Sequence, residues 1–391
     1  MAAKLRQRQV AWATFDFGRF TAAMQIVTVT DIPSPYQVEL FNGVTTLNEV
    51  GLKILFLRKT CSSRHWADAS LAHEAVFLDS ESCAINAVRA NVLNADLAVF
   101  NYYADRTANE LLNLRATSGK PWTFWGERPG FRKPEWLGRV RRKFRLAQLH
   151  ASYAPIWGIG QFAVDQYKLE FGSRRAYYNL PYFSDLERFQ SIARKPSQVG
   201  SERVFLFSGS LIHRKGVDLL ARAFVRLARE LSDIRLKLMG TGELHDSLRK
   251  TLQPVNDRVE FLGFKDWAEL PASYADADVL CVPSRYDGWG LVVPEGLAAG
   301  LPVIATDQMG AALELIAPGS NGWLLPAGNE DALFTALREA ALLPAEELVR
   351  RSNRARDSIA EHSLRHGAKR FLSAAQDVLD NWGKDYSEAR A

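Results

Sequence analysis

From Pro283 to Gly296 the chain reads Pro-Ser-Arg-Tyr-Asp-Gly-Trp-Gly-Leu-Val-Val-Pro-Glu-Gly, with the carboxylates of Asp287 and Glu295 bracketing a glycine-rich turn. The apolar run before it ends a buried strand, and the residues around Pro294 open a helix. Glycines let a backbone approach a ligand closely, and amides that open a helix attract negative charge. An acid just beyond such an anion site can hydrogen-bond sugar hydroxyls. The combination suits a nucleotide diphosphate carrying a sugar. A second stretch, Gly209-Ser210-Leu211-Ile212-His213-Arg214-Lys215-Gly216, follows another apolar strand and offers two cations. Arg214 and Lys215 suit a diphosphate, because ion-assisted hydrogen bonds to phosphate are strong and a guanidinium can engage two oxygens. A third strand ends as Trp125-Gly126-Glu127-Arg128. Glu127 can bind hydroxyls or take part in proton transfer, and Arg128 can hold phosphate; paired with each other, the two would only shape a loop.

The whole stretch from Pro283 through Ala298-Ala299-Gly300-Leu301-Pro302-Val303-Ile304-Ala305-Thr306 resembles the signature of a large glycosyltransferase family. These are the retaining, metal-independent nucleotide-sugar enzymes called family 4 of the GT-B fold, or glycosyl transferases group 1. Their pattern is Glu, seven residues, then Glu; here Asp287 is one methylene shorter, and Trp289 stands where Phe is usual. The resemblance implies that Glu295 holds the nucleotide ribose and Asp287 the donor-sugar hydroxyls. Gly288, Trp289, Gly290 and Leu291 would form the turn whose amides meet sugar and phosphate. In the family the cationic loop reads Gly-Arg-Leu, three residues, Lys-Gly. Gly209 and Lys215 match, Ser210 replaces the Arg, and Arg214 is the candidate to compensate. Gly240, opening Gly240-Thr241-Gly242, matches a G-x-G of the family, and Phe264 is a candidate edge for the nucleobase. The resemblance is strongest across 203–365 and only topological before it. Pro35 and Tyr36 follow the first strand where relatives carry a Gly-rich loop, and Asn101 stands where many carry a His. The candidate catalytic set is therefore Asp287, Lys215 and Glu127, with Pro35, Tyr36, Asn101 and Arg128 on the acceptor side. What the resemblance implies is a hexosyltransferase-type enzyme with no metal or other cofactor, using a nucleotide-diphosphate sugar and a glycan or glycolipid acceptor. A nucleotide-sugar epimerase of the same fold and a non-catalytic sugar-nucleotide or partner-binding protein are the rival readings.

These residues need a scaffold, and the chain supplies one by repetition. Short β-branched runs alternate with amphipathic helical patterns, the mark of parallel α/β units. Strands are expected at 25–30, 53–57, 96–100, 121–125 and 154–158, with helices at 37–49, 84–92, 105–116, 134–149 and 161–170. The polar segment 190–201 lacks periodicity and reads as a linker. Alternation then restarts with strands at 204–209, 234–239, 259–262, 279–282 and 302–305, a helix at 216–230 and a last helix at 363–382. The expected fold is α/β: two facing Rossmann-like domains, 24–189 on the acceptor side and 202–365 on the donor side. By the resemblance, residues 366–391 cross back onto the first domain. Residues 1–23 read as an extension, with Met24 opening the first strand.

The 391 residues comfortably fill two domains, and 47% hydrophobic content supplies two cores. Cys61, Cys83 and Cys281 show no metal-ligand spacing, which argues against a disulfide framework and for a reducing, cytoplasmic compartment. His362 and His366 lack the zinc-protease order and read as incidental. The net charge of +5 is uneven, with 24 cations against 17 acids in residues 1–190 and 25 against 27 thereafter. Much of the excess lies in residues 132–146, where Arg139, Arg141, Arg142 and Lys143 alternate with Trp136, Leu137, Val140 and Phe144. A basic amphipathic helix of this kind can lie on an anionic membrane face, each cation contributing roughly 1 kcal/mol. The same pattern also suits a helix packed on the sheet with a solvated basic side. No nucleic-acid recognition motif accompanies the charge.

Overall fold

The computed structural model describes residues 23–47, 50–60, 70–80, 84–130, 135–192 and 202–384. Residues 1–22 of the extension expected at 1–23, linker residues 193–201, Cys61, Cys83, Arg132 and Lys133 lie outside the described residues. Two all-parallel sheets form the frame. The first contains β1 (Met24–Thr30), β2 (Val50–Phe56), β3 (Glu74–Phe77), β4 (Leu97–Phe100), β5 (Trp122–Gly126), β6 (Ile156–Gly158) and β7 (Tyr177–Asn179), in the order 3-2-1-4-5-6-7. The second contains β8 (Arg203–Ser208), β9 (Ile234–Met239), β10 (Val259–Gly263), β11 (Val279–Val282), β12 (Val303–Thr306) and β13 (Gly322–Leu325), in the order 10-9-8-11-12-13. The near-continuous apolar runs follow from burial on both faces, as in β4, β11 and β12, where every residue is buried. Strand order reverses between β1 and β4 and again between β8 and β11. Crevices outside the carboxyl ends of strands at such points are where open α/β sheets bind ligands.

Local chemistry explains where elements start and stop. The first helix begins earlier than expected, at Pro35, because a proline suits the first helical position behind Ser34. The helix expected at 134–149 is two, Glu135–Arg145 and Ala147–His150, separated by Leu146, which leaves helical geometry and is fully buried. Gly216 stands outside the helix expected at 216–230. Its φ of 70° is left-handed, and the helix runs Val217–Leu227.

The last helix, Leu364–Asp380, returns to the first domain. Phe371 meets the rings of Phe41, Trp125 and Trp157 edge-on, at 6.4, 6.1 and 5.2 Å. Arg370 donates to the carbonyl of Asn179, Tyr178 bonds Asp377, and Trp382 Nε1 donates to the Gly119 carbonyl at 2.9 Å. Among the described residues no helix is long and apolar enough to cross a membrane.

Candidate functional site

The two loops singled out in the second half meet at the β8/β11 switch point. After β8, His213–Lys215 form a single 3-10 turn ending at Gly216. A Cβ on Gly216 would collide with the Pro283 carbonyl, so only glycine lets this turn rest on the end of β11. Arg285 staples the same junction. Its guanidinium binds both oxygens of Asp218 at 2.6 and 2.7 Å and the His213 carbonyl at 2.6 Å. On the other side the Asp287 amide donates to the Gln308 carbonyl at 3.0 Å. The outcome is an ion pair between Lys215 Nζ and Asp287 Oδ2 at 2.5 Å, with both side chains mostly buried. Arg214 is half exposed, 4.0 Å from the same oxygen, and donates to the Tyr286 carbonyl at 3.0 Å.

Glu295 lies in the first turn of the helix Val292–Ala298 and is buried. The Tyr274 hydroxyl bonds its Oε2 at 3.2 Å, and burial pushes its carboxyl up to about 7. Beside it, Gly209, Ser210, Gly240 and Phe264 line a cavity of about 230 Å³ together with Trp267. Phe264 is exposed. Trp289 differs: its indole is buried in the apolar core, stacked 5.9 Å from His362, so only its main chain is available to the turn. His362 is a packing residue between Trp289 and Phe183. Burial pushes its imidazole down to about 4.

The first domain reaches this loop through β5. The Glu127 carboxylate lies so close to Gly288 that any Cβ there would strike its Oε2. Glu127 thus stands one residue along from Asp287, across the domain boundary. Arg128 does not pair with Glu127 to shape a loop. It bridges the domains, donating to the Gln308 carbonyl at 2.8 Å and side chain at 3.1 Å. Its guanidinium lies 4.0 Å over the Tyr286 ring and 4.4 Å over Phe162, and burial lowers its pKa. Asn101 is similarly engaged: it donates to the Trp125 carbonyl at 2.8 Å and accepts from Gln37 at 2.7 Å, tying the ends of β4 and β5 to the first helix. Pro35 is buried, and Tyr36 packs 4.7 Å from Tyr182. These contacts all lie within the first domain.

The basic helix Glu135–Arg145 divides its residues unequally. Trp136, Leu137, Val140 and Phe144 are exposed, Phe144 by 79%. At 100° per residue they share one arc, with Arg139 and Lys143 along one border and Arg141 along the other. Arg142 departs from the expected membrane set. It faces inward and makes a two-pronged bond to Glu170 at 2.7–3.0 Å, each side chain 8% exposed.

Several contributors escape the sequence reading: Trp267, Glu39, Arg188, Tyr274, Arg285 and Gln308. Trp267 Nε1 donates to Glu39 of the first domain at 3.0 Å, and Arg188 lies 4.4 Å over the indole while bonding the same carboxylate at 2.5 Å. An aromatic set within the polar run Lys265-Asp266 was the available signal for Trp267; the other five carry none.

Residues 189–358 match the family described as Glycosyl transferases group 1. An uncharacterized glycosyltransferase of Methanocaldococcus jannaschii is 35% identical over 135 residues, 34% of each chain. A GDP-mannose-dependent monoacylated alpha-(1-6)-phosphatidylinositol monomannoside mannosyltransferase of Corynebacterium glutamicum is 28% identical over 196 residues, 46% of this chain and 51% of that protein. The matched part spans about half or less of these curated relatives. The HepE protein of Anabaena, solved with UDP and glucose, superposes with a TM-score of 0.68 at 15% identity, over 90% of this chain and 99% of its own. The architecture is GT-B, and the second domain belongs to the group 1 glycosyltransferases.

Proposed function

We propose that this chain is a retaining, metal-independent glycosyltransferase. It moves a sugar from a nucleotide-diphosphate donor to a hydroxyl of a lipid-linked or surface-polysaccharide acceptor. The observation that carries the reading is the Lys215–Asp287 pair at the switch point of the second sheet, faced by Glu127 from the first domain. In the reaction the bond from anomeric carbon to phosphate oxygen breaks, a bond to the acceptor oxygen forms, and the acceptor proton passes to the departing phosphate. Lys215, helped by Arg214, meets the charge on that phosphate, a fixed cation doing what a metal does elsewhere. Asp287 orients the sugar, Glu295 the ribose, and Glu127 the incoming hydroxyl. Gly209, Gly240, Phe264 and Trp267 enclose the base. The basic helix rests on an anionic membrane through its apolar arc, placing the cleft at the lipid surface on the cytoplasmic side.

Calorimetric titration with UDP, GDP and ADP, each with and without chelator, tests this reading. Micromolar binding of one of them is expected, indifferent to chelator and weakened at least about tenfold in Lys215→Ala and Glu295→Ala. Absence of binding to all three would remove the donor site, and with it the transferase reading.

A further inference from the structure

Between the basic helix and the Asp287 loop lies a second cavity, of about 170 Å³, distinct from the one that encloses the base. Arg128, Arg139 and Arg142 line it, with Gln166, Glu170 and Tyr286 among the other walls. Glu170 neutralises Arg142 through its two-pronged bond. Arg128 has no such partner: among the described residues no carboxylate lies within ion-pair distance, its guanidinium meets only the neutral Gln308, the Tyr286 side chain and the Phe162 ring, and its buried Nε has no hydrogen-bond acceptor. Asp287 and Asp307 act on it only from farther away. A guanidinium with only 6% exposure, as in Arg128, is costly to bury; the two aromatic faces offset part of that cost, and an anion would offset the rest. The cavity also adjoins the chemistry, since the Gln308 carbonyl that accepts from Arg128 accepts from the Asp287 amide as well.

We propose that this cavity binds a phosphate group borne by the acceptor, with Arg128 and Arg139 as its cationic walls. The proposal rests on the transferase reading and adds the acceptor's class: a phosphorylated compound whose phosphate seats below the basic helix and whose hydroxyl reaches Asp287. The exposed arc of Trp136, Val140 and Phe144 stands on the same helix as Arg139, so a phospholipid could place its headgroup in the cavity and its chains along the arc.

The test titrates inorganic phosphate and a short-chain phosphatidic acid into the full chain, with the nucleotide site saturated by whichever of UDP, GDP or ADP binds. Arg139→Gln and Gln166→Glu are the variants, both outside the core, with thermal melting as the check on folding. Both probes are expected to bind about tenfold more weakly to each variant, while nucleoside-diphosphate affinity holds. Stronger binding of phosphatidic acid than of phosphate, lost in Phe144→Ser, identifies the source as a lipid headgroup. Equal binding identifies a water-soluble phosphate. Unchanged affinity for both probes in both variants overturns the proposal. Should no nucleoside diphosphate bind the unmodified chain, the transferase reading fails separately, and the phosphate titrations are read without it.

Discussion

At the scale of single residues, Glu295 makes a prediction that pH can read. Its carboxyl is raised from 4.5 to about 7, first by burial, against the hydrogen bond from Tyr274. A raised carboxyl favours the folded state fully below its unfolded pKa, and that contribution is lost as pH rises through the folded value. The window is therefore 4.5 to about 7. Glu295→Gln removes the buried charge, so it should melt higher than the parent above that window, by up to about 3 kcal/mol, and converge with it below. A melting difference independent of pH would refute the assignment. The same variant should bind nucleotide poorly, because a ribose hydroxyl can no longer donate to a carboxylate. Asp287, Glu295 and Lys215 were legible because their spacing is local to two loops. Arg285 and Gln308 were not, because what they hold lies tens of residues away or on the other domain.

At the scale of elements, the basic helix separates two roles that one charge count merges. Arg142 is a structural anchor: replacing it with Ala leaves Glu170 buried and unpaired, a loss of about 3–5 kcal/mol that should appear as a lower melting temperature. Trp136 and Phe144 are free of that duty. The double change Trp136→Ser with Phe144→Ser should leave melting unchanged and reduce sedimentation with anionic vesicles by about tenfold or more. Equal vesicle binding by parent and double variant would sink the membrane reading. From sequence alone the helix was visible but its inward face was not, since cations fill the whole side opposite the apolar arc and only packing selects Arg142. Three strands were also missed. β3, β7 and β13 lie at sheet edges and are mostly half-buried, so they lack the continuous buried apolar run that marked the equally short β4, β11 and β12. They became strands because a neighbour was already in place.

At the scale of the whole molecule, the return helix makes the two domains one folding problem. Phe371 fills a nest of first-domain rings, so Phe371→Ala should cost about 3–5 kcal/mol, seen as earlier melting of the whole chain and not of one domain. The alternation of strands and helices made the two-domain plan legible, but the contacts across the cleft depend on an angle no local pattern encodes. Trp267 is the plainest case. It walls the base cavity from the second domain, yet Glu39 and Arg188 fix it from the other side of the linker. Opening the cleft pulls that wall away, and an occupant of the cavity braces it. Under the proposed transferase reading, this arrangement predicts an order at steady state in which donor enters first, the acceptor meets an already narrowed gap, and the spent nucleotide leaves last. Product-inhibition patterns would show an ordered mechanism in the parent, and Glu39→Gln should relax it toward random addition.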